Sequence, residues 1–168
     1  MIRQATTVFG IDSVSDYLDF CSNAVKDFKS AQDNVVRGFT AILALNHIPD
    51  WLRYKLTSAQ RNALGLSGTE VGECVKNYFE CQNDDLGLIR DISNGFKHLR
   101  LVNSTRKVSG YGRGPFGVGP YGSPYLLIDL GEELPGEDRW VVGSNLCERT
   151  LGWWKNSLQV IQTGGTNK

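Results

Sequence analysis

The sequence lacks most of the features that name a partner outright. Its 168 residues carry 18 Lys and Arg against 18 Asp and Glu, so the net charge is zero. Bulk charge therefore selects neither nucleic acid nor an anionic surface. No run approaches the roughly 18 apolar residues that a membrane span needs, and none is expected to enter a bilayer. The opening "MIRQATTVFG" has neither the apolar run nor the cleavage site of a secretory signal. Cysteine is sparse: Cys21, Cys74, Cys81 and Cys147 form no CxxC pair and no finger spacing. The expectation is a cytoplasmic protein with reduced thiols. Cys74 and Cys81 share a helix face about 10 Å apart along its axis, too far for a disulfide, and read as small buried side chains. There are only two histidines, His47 and His98. With the cysteines scattered, they fall short of the usual ligand sets, so no metal and no cofactor is expected. "GRGPFG" lacks the lysine and the strand-to-helix setting of a phosphate loop.

Apolar periodicity supplies the architecture. Residues 13–31 read as a helix capped by Ser13 or Ser15, with Tyr17, Leu18, Cys21, Ala24, Val25 and Phe28 in one stripe. Residues 34–46 read as a second apolar helix on which Val35, Val36, Phe39, Ile42 and Leu43 face one way. Pro49 opens a short third one. Residues 56–68 are turn-rich, with room for one helical turn. Thr69 and Asn83 are candidate caps for two more helices, or for the halves of one bent helix. After residue 100 the texture becomes β-compatible. "RLVNSTRKV", "YLLIDL" and "RWVVG" read as short strands, the last two joined by the acidic turn "GEELPGED". Ser144 or Asn145 caps a last helix, with Cys147, Leu151, Trp154, Leu158 and Ile161 inward. The fold class is mainly α: an up-and-down helical bundle with a Gly/Pro-rich loop and β-hairpin inserted before the C-terminal helix. One domain over 1–168 is expected, with a helical core at 13–100, an insert at 101–143, a core helix at 144–162 and a frayed tail at 163–168. The core is expected from Leu18, Val25, Phe28, Phe39, Ile42, Leu43, Val75, Phe79, Ile89, Ile92, Phe96, Leu151, Trp154 and Leu158.

Two stretches stand apart. "SGYGRGPFGVGPYGSP" (109–124) holds six glycines and three prolines. It repeats a turn unit, "GRGPF" then "GVGPY" then a shortened "GSPY", each placing an aromatic after Gly-Pro or Ser-Pro. It is either a surface connection or a lid whose Tyr111, Phe116, Tyr121 and Tyr125 stack on bases or a protein. The other is "IRDISNGFKHLR" (89–100). On a helix, Leu86, Ile89, Ile92, Phe96 and Leu99 share one face, while Arg90, Asp91, Asn94, Lys97 and His98 fall opposite. Steps of three and four let Arg90, Asp91, Asn94 and His98 meet along one side. Arginine forks a phosphate, histidine moves a proton, Asn94 orients and Asp91 biases the tautomer. Equally, such a face is simply solvated. No acidic residue occurs from Ile92 to Ile128, while Lys97, Arg100, Arg106, Lys107 and Arg113 do. That local basic segment suits an anionic partner such as RNA, unless the acidic turn that follows folds back and neutralises it.

The helix at 89–100 resembles the HEPN superfamily, small helical bundles of prokaryotic toxin, defence and RNA-processing systems. Active members carry an arginine, commonly a polar residue after it, and then a histidine after four to six intervening residues. Arg90 followed by Asp91 fits that pattern. His98 departs from it, because seven residues intervene and turn the pair about 80° apart. The run "RDISNGFKHL" is also similar to an arginine-aspartate, asparagine, lysine-histidine motif of bacterial and phage proteins. The HEPN resemblance implies RNA binding or metal-independent ribonuclease activity at a homodimer interface, with Arg90 and His98 from each subunit. It also allows a binding-only relative. Two rivals stand beside it. One is a phage–host or toxin–antitoxin interaction module that binds a protein through the aromatic loop. The other is a structural role, in which the polar helix pins the β insert through Asn94, Lys97, His98 and Arg100.

Overall fold

A computed structural model describes residues 10–63, 66, 71–98, 104–108, 115, 117–131, 134 and 139–163. Side chains within 71–74, 96–98 and 104–108, and at residues 63, 160, 162 and 163, fall outside that description. The element order is α1 (Val14–Ser30), α2 (Val35–Asn46), α3 (Ile48–Lys55), α4 (Ser58–Ala63), α5 (Val71–Glu80) and α6 (Asp84–His98). Then come β1 (Ser104–Val108), β2 (Tyr125–Asp129), β3 (Trp140–Val142) and α7 (Gly143–Thr163). The fold is therefore mainly helical, with a small antiparallel sheet ahead of the C-terminal helix.

Local chemistry explains the boundaries. Ser13 Oγ accepts from Asp16 N at 3.1 Å, and Asp16 Oδ2 accepts from Ser13 N at 2.9 Å, a reciprocal cap on α1. Those bonds, with the Ser13 hydroxyl first, hold the Asp16 carboxyl below its ordinary range. Asn34 caps α2 by accepting from Arg37 N. Thr57 and Gln60 form a second reciprocal cap at the start of α4. The turn at 81–83 separates α5 from α6, and Asn83 Oδ1 accepts from Asp85 N at 3.0 Å. They are two helices, not one bent helix. Thr69 lies outside the described residues.

One apolar core gathers Tyr17, Cys21, Val25 and Phe28 of α1 with Ile42 and Leu45 of α2 and Ile48 and Leu52 of α3. Val75 and Phe79, Leu86, Ile89 and Ile92, and Leu146, Leu151, Trp154 and Leu158 complete its helical part. Most of the expected core is there. Leu18, Phe39 and Leu43 are only half-buried, and the Phe96 side chain is not described. The inner face of α2 differs from the sequence expectation. Val35 and Val36 are exposed, Val36 by 73%, whereas Gly38, Ala41, Ala44 and Leu45 are buried. The helix packs on α1, α3, α6 and α7 at once, so its small residues face neighbours that approach closely. A Cβ at Gly38 would stand 3.0 Å from Leu126 and Phe28, so glycine sets the spacing between α2 and the sheet.

The strand order is β1-β2-β3, antiparallel throughout. Ser104 pairs with Asp129, Arg106 with Leu127, Lys107 with Leu126, and Val108 with Tyr125. All five β2 residues are buried, so both of its faces are covered. Leu126 and Ile128 enter the helical core. Tyr125 and Leu127 join Val142, Val118 and Trp140 in a second cluster. Gln32, in the α1–α2 turn, fastens this layer to the bundle. Its carbonyl accepts from Leu126 N at 2.8 Å, and its side-chain oxygen accepts from Ser144 Oγ at 2.6 Å. Ser144 thus spends its hydroxyl on Gln32, one residue inside a helix that starts at Gly143. This replaces the expected N-cap.

Candidate functional site

The polar side of α6 places Arg90 beside the end of α5. Its Nη1 donates to the Glu80 carboxylate, and its Nε lies 3.7 Å from Asp91 Oδ1. Asp91 and Asn94 are exposed. Arg90, Glu80, Cys81, Asp84, Asp91 and Asn77 line an open groove of about 750 Å³ at the α5–α6 corner. Three carboxylates and one guanidinium line it, and the guanidinium already serves Glu80 and Asp91. A phosphate at Arg90 would compete with Glu80. His98 stands eight positions further along α6, about 12 Å of helix rise from Arg90. The His98 and Lys97 side chains are outside the described residues, as are Arg100, Tyr111, Arg113 and Phe116 entirely. Cys81 is exposed in this groove, contrary to its expected burial.

The sheet brings other predicted residues together. Residues 117–124 fold back over β2: Tyr125 Oη donates to the Val118 carbonyl at 2.6 Å, and Val118 packs into the second cluster. Gly117, Gly119 and Gly122 take positive φ values of 81°, 84° and 76°. The described half of the Gly/Pro stretch is thus a folded cover on the sheet. Tyr125, one of its aromatics, is a buried anchor, whereas Tyr121 is 85% exposed. β1 pairs with β2, the strand under this cover, with Arg106 opposite Leu127 and Lys107 opposite Leu126. Asp129, at the end of β2 just before the acidic turn, is buried. Asp129 is 4% exposed and receives Arg139 Nε at 2.6 Å and Nη2 at 2.8 Å. Arg139 also lies 4.8 Å over the Trp140 ring. Residues 132, 133 and 135–138 are outside the described set.

Two polar arrangements escaped sequence reasoning. Asn46 Nδ2 donates to Ser93 Oγ at 3.1 Å inside the core. Ser93 lies four residues from Ile89, on the stripe itself, which is the signal that could have placed it. At the α2–α3 corner, His47 Nδ1 meets Asp50 Oδ2 at 2.8 Å, and Lys76 Nζ meets Asp50 Oδ1 at 3.2 Å. Burial pushes the Asp50 carboxyl up, but hydrogen bonds and charge from His47 and Lys76 outweigh it and hold the group below its ordinary range. With Nδ1–H given to Asp50, Nε2 is the open ring nitrogen. The three groups tie the α2–α3 corner to α5.

Among the described residues no His, Cys, Asp or Glu group could hold a metal ion. None of the described helices is long and apolar enough to cross a membrane. Comparison with known protein families, curated proteins and solved structures returned no match.

Proposed function

We propose that this chain is an RNA-binding protein of HEPN-like build, which contacts RNA through the β1 strand and the aromatic cover on β2. The observation that carries the proposal is the fold-back of residues 117–124. It leaves Tyr121 exposed in the loop that leads into β2, the strand whose Leu126 and Leu127 pair with Lys107 and Arg106. Single-stranded RNA is held by cations along its backbone and aromatic faces under its bases, and each stacked base contributes about 1–3 kcal/mol. The stricter form of the proposal is metal-independent cleavage, with His98 moving the proton, Asn94 and Asp91 orienting it, and Arg90 exchanging Glu80 for phosphate. Conflict-system membership and a homodimer belong to the same proposal.

The test uses a pool of labelled RNAs in EDTA. Binding that weakens steeply with salt, and falls roughly 5- to 150-fold in Tyr121→Ala, supports the proposal. The paired variant Arg106→Ala/Lys107→Ala should reduce the salt slope as well as affinity. Cleavage lost in a folded His98→Ala supports the stricter form. A folded wild type that neither binds nor cuts RNA at low salt overturns both. The second reading, a protein partner at the same loop, then takes over. What favours it is Tyr121, an exposed aromatic on a loop that Tyr125 anchors.

A further inference from the structure

Trp154 has no exposed surface, and its Nε1 has no hydrogen-bond acceptor among the described protein atoms. A buried donor without a partner costs about 1–3 kcal/mol, so such groups are normally satisfied by protein or by ordered water. Beside the indole lies a cavity lined by Trp154, Asn46, Lys76, Phe79, Glu80 and Ile89, among others. It offers about 10 Å³ to the centre of a water molecule. That is close to the minimum for one water and excludes a larger ligand. The lining is not uniformly apolar. Asn46 commits Nδ2 to Ser93, which leaves its carbonyl Oδ1 as an acceptor. Glu80 gives Oε2 to Arg90, which leaves Oε1.

We propose that the bundle core binds one structural water, which accepts from Trp154 Nε1–H and donates to Asn46 Oδ1 and the Glu80 carboxylate. The water satisfies the buried indole and joins α7 to α2 and α5 where these helices leave a gap. Glu80 lines both this cavity and the outer groove, so exchange with solvent passes its carboxylate. The water site rests on no RNA contact, although Glu80 also meets Arg90 in the outer groove.

The rival arrangement is an indole N–H aimed at the face of Phe79, whose ring centroid is 4.9 Å away at 65°. The test is a crystal structure of the full chain at a resolution that resolves ordered water, together with indole proton spectra. The Trp154 signal is assigned by elimination with Trp51→Phe, Trp140→Phe and Trp153→Phe, so the assignment does not depend on a Trp154 variant folding. The expected result is a water oxygen about 2.7–3.2 Å from Nε1 and a cross-relaxation peak between that indole proton and water. In Asn46→Leu the peak is expected to vanish while the other indole signals persist. A cavity without water density overturns the proposal. So does an upfield indole proton with no water peak, which reports the Phe79 ring.

Discussion

Gly119 takes a φ of +84°, and a Cβ there would stand 2.5 Å from the Tyr125 ring. Two penalties coincide: a conformation that L-residues rarely adopt, and a clash with a buried aromatic whose hydroxyl is already fixed on Val118. Gly119→Ala is expected to destabilise by about 1–3 kcal/mol, by analogy with overpacked cores, as read from urea midpoints. Gly122 has a similar φ with open space around it, so Gly122→Ala should cost less. An equal loss in both would refute the close-contact argument. Asp129 makes the complementary case for charge. Arg139→Met removes two charge-assisted hydrogen bonds from a carboxylate at 4% exposure. Breaking a buried pair costs about 3–5 kcal/mol, and the partial exposure of Arg139 argues for the lower end. Adding Asp129→Asn to Arg139→Met should recover part of the loss, because the buried charge that lost the guanidinium is then gone. A double variant less stable than Arg139→Met would contradict that account.

Helix ends follow short-range rules, so most elements were legible at this scale. Ser13, Pro49 and Asn83 stand where their chemistry predicts, and Asn34, the first residue of the expected second helix, caps it. The inner face of α2 was not legible, because that helix is apolar nearly all round and periodicity has no polar side to orient it. Gly38 and Ala41 face inward only because neighbours come close, which is a tertiary fact. The candidate site was half legible for the same reason. Helical spacing placed Arg90, Asp91 and Asn94 together, but nothing local showed that Glu80 would reach Arg90 across a turn. The His47–Asp50–Lys76 cluster joins three elements, and only its i,i+3 step was visible along the chain. It yields a pH prediction. The folded Asp50 carboxyl is held below its ordinary value of 3.8. In acid the unfolded chain therefore takes up the proton first, and stability falls as pH drops. The contribution is complete above the unfolded value and is lost as pH falls through the folded one. Asp50→Asn should lower stability at pH 7 by about 0.5–1 kcal/mol and flatten the acid limb of a melting-temperature profile. A variant with the wild-type acid limb would remove Asp50 from that role.

At the scale of the whole molecule the question is whether bundle and sheet open together. Leu126 and Ile128 belong to the same core as α1 and α7, and Gln32 ties the α1–α2 turn to β2 and to α7. The sheet keeps a small cluster of its own around Tyr125, Leu127 and Val142, but its other face lies in the shared core, which local opening of α1 or α7 would expose. Two thiols can report on this. Cys21 on α1 and Cys147 on α7 have no exposed surface, and burial pushes both thiols up to about 12. At pH 8 they are protonated and covered, whereas Cys81 is exposed. In wild type, Cys81 should react first with a disulfide reagent. In a Cys74→Ser/Cys81→Ser background, Cys21 and Cys147 should then label at one common rate. The opening free energy for that labelling should fall with urea along the slope of global unfolding. A shallower slope for Cys147 alone would mean that α7 detaches from the bundle as a separate unit, against the coupling that Gln32 and Leu126 imply. Equal slopes for both thiols would mean that the sheet-bearing end and the helical core are one cooperative structure.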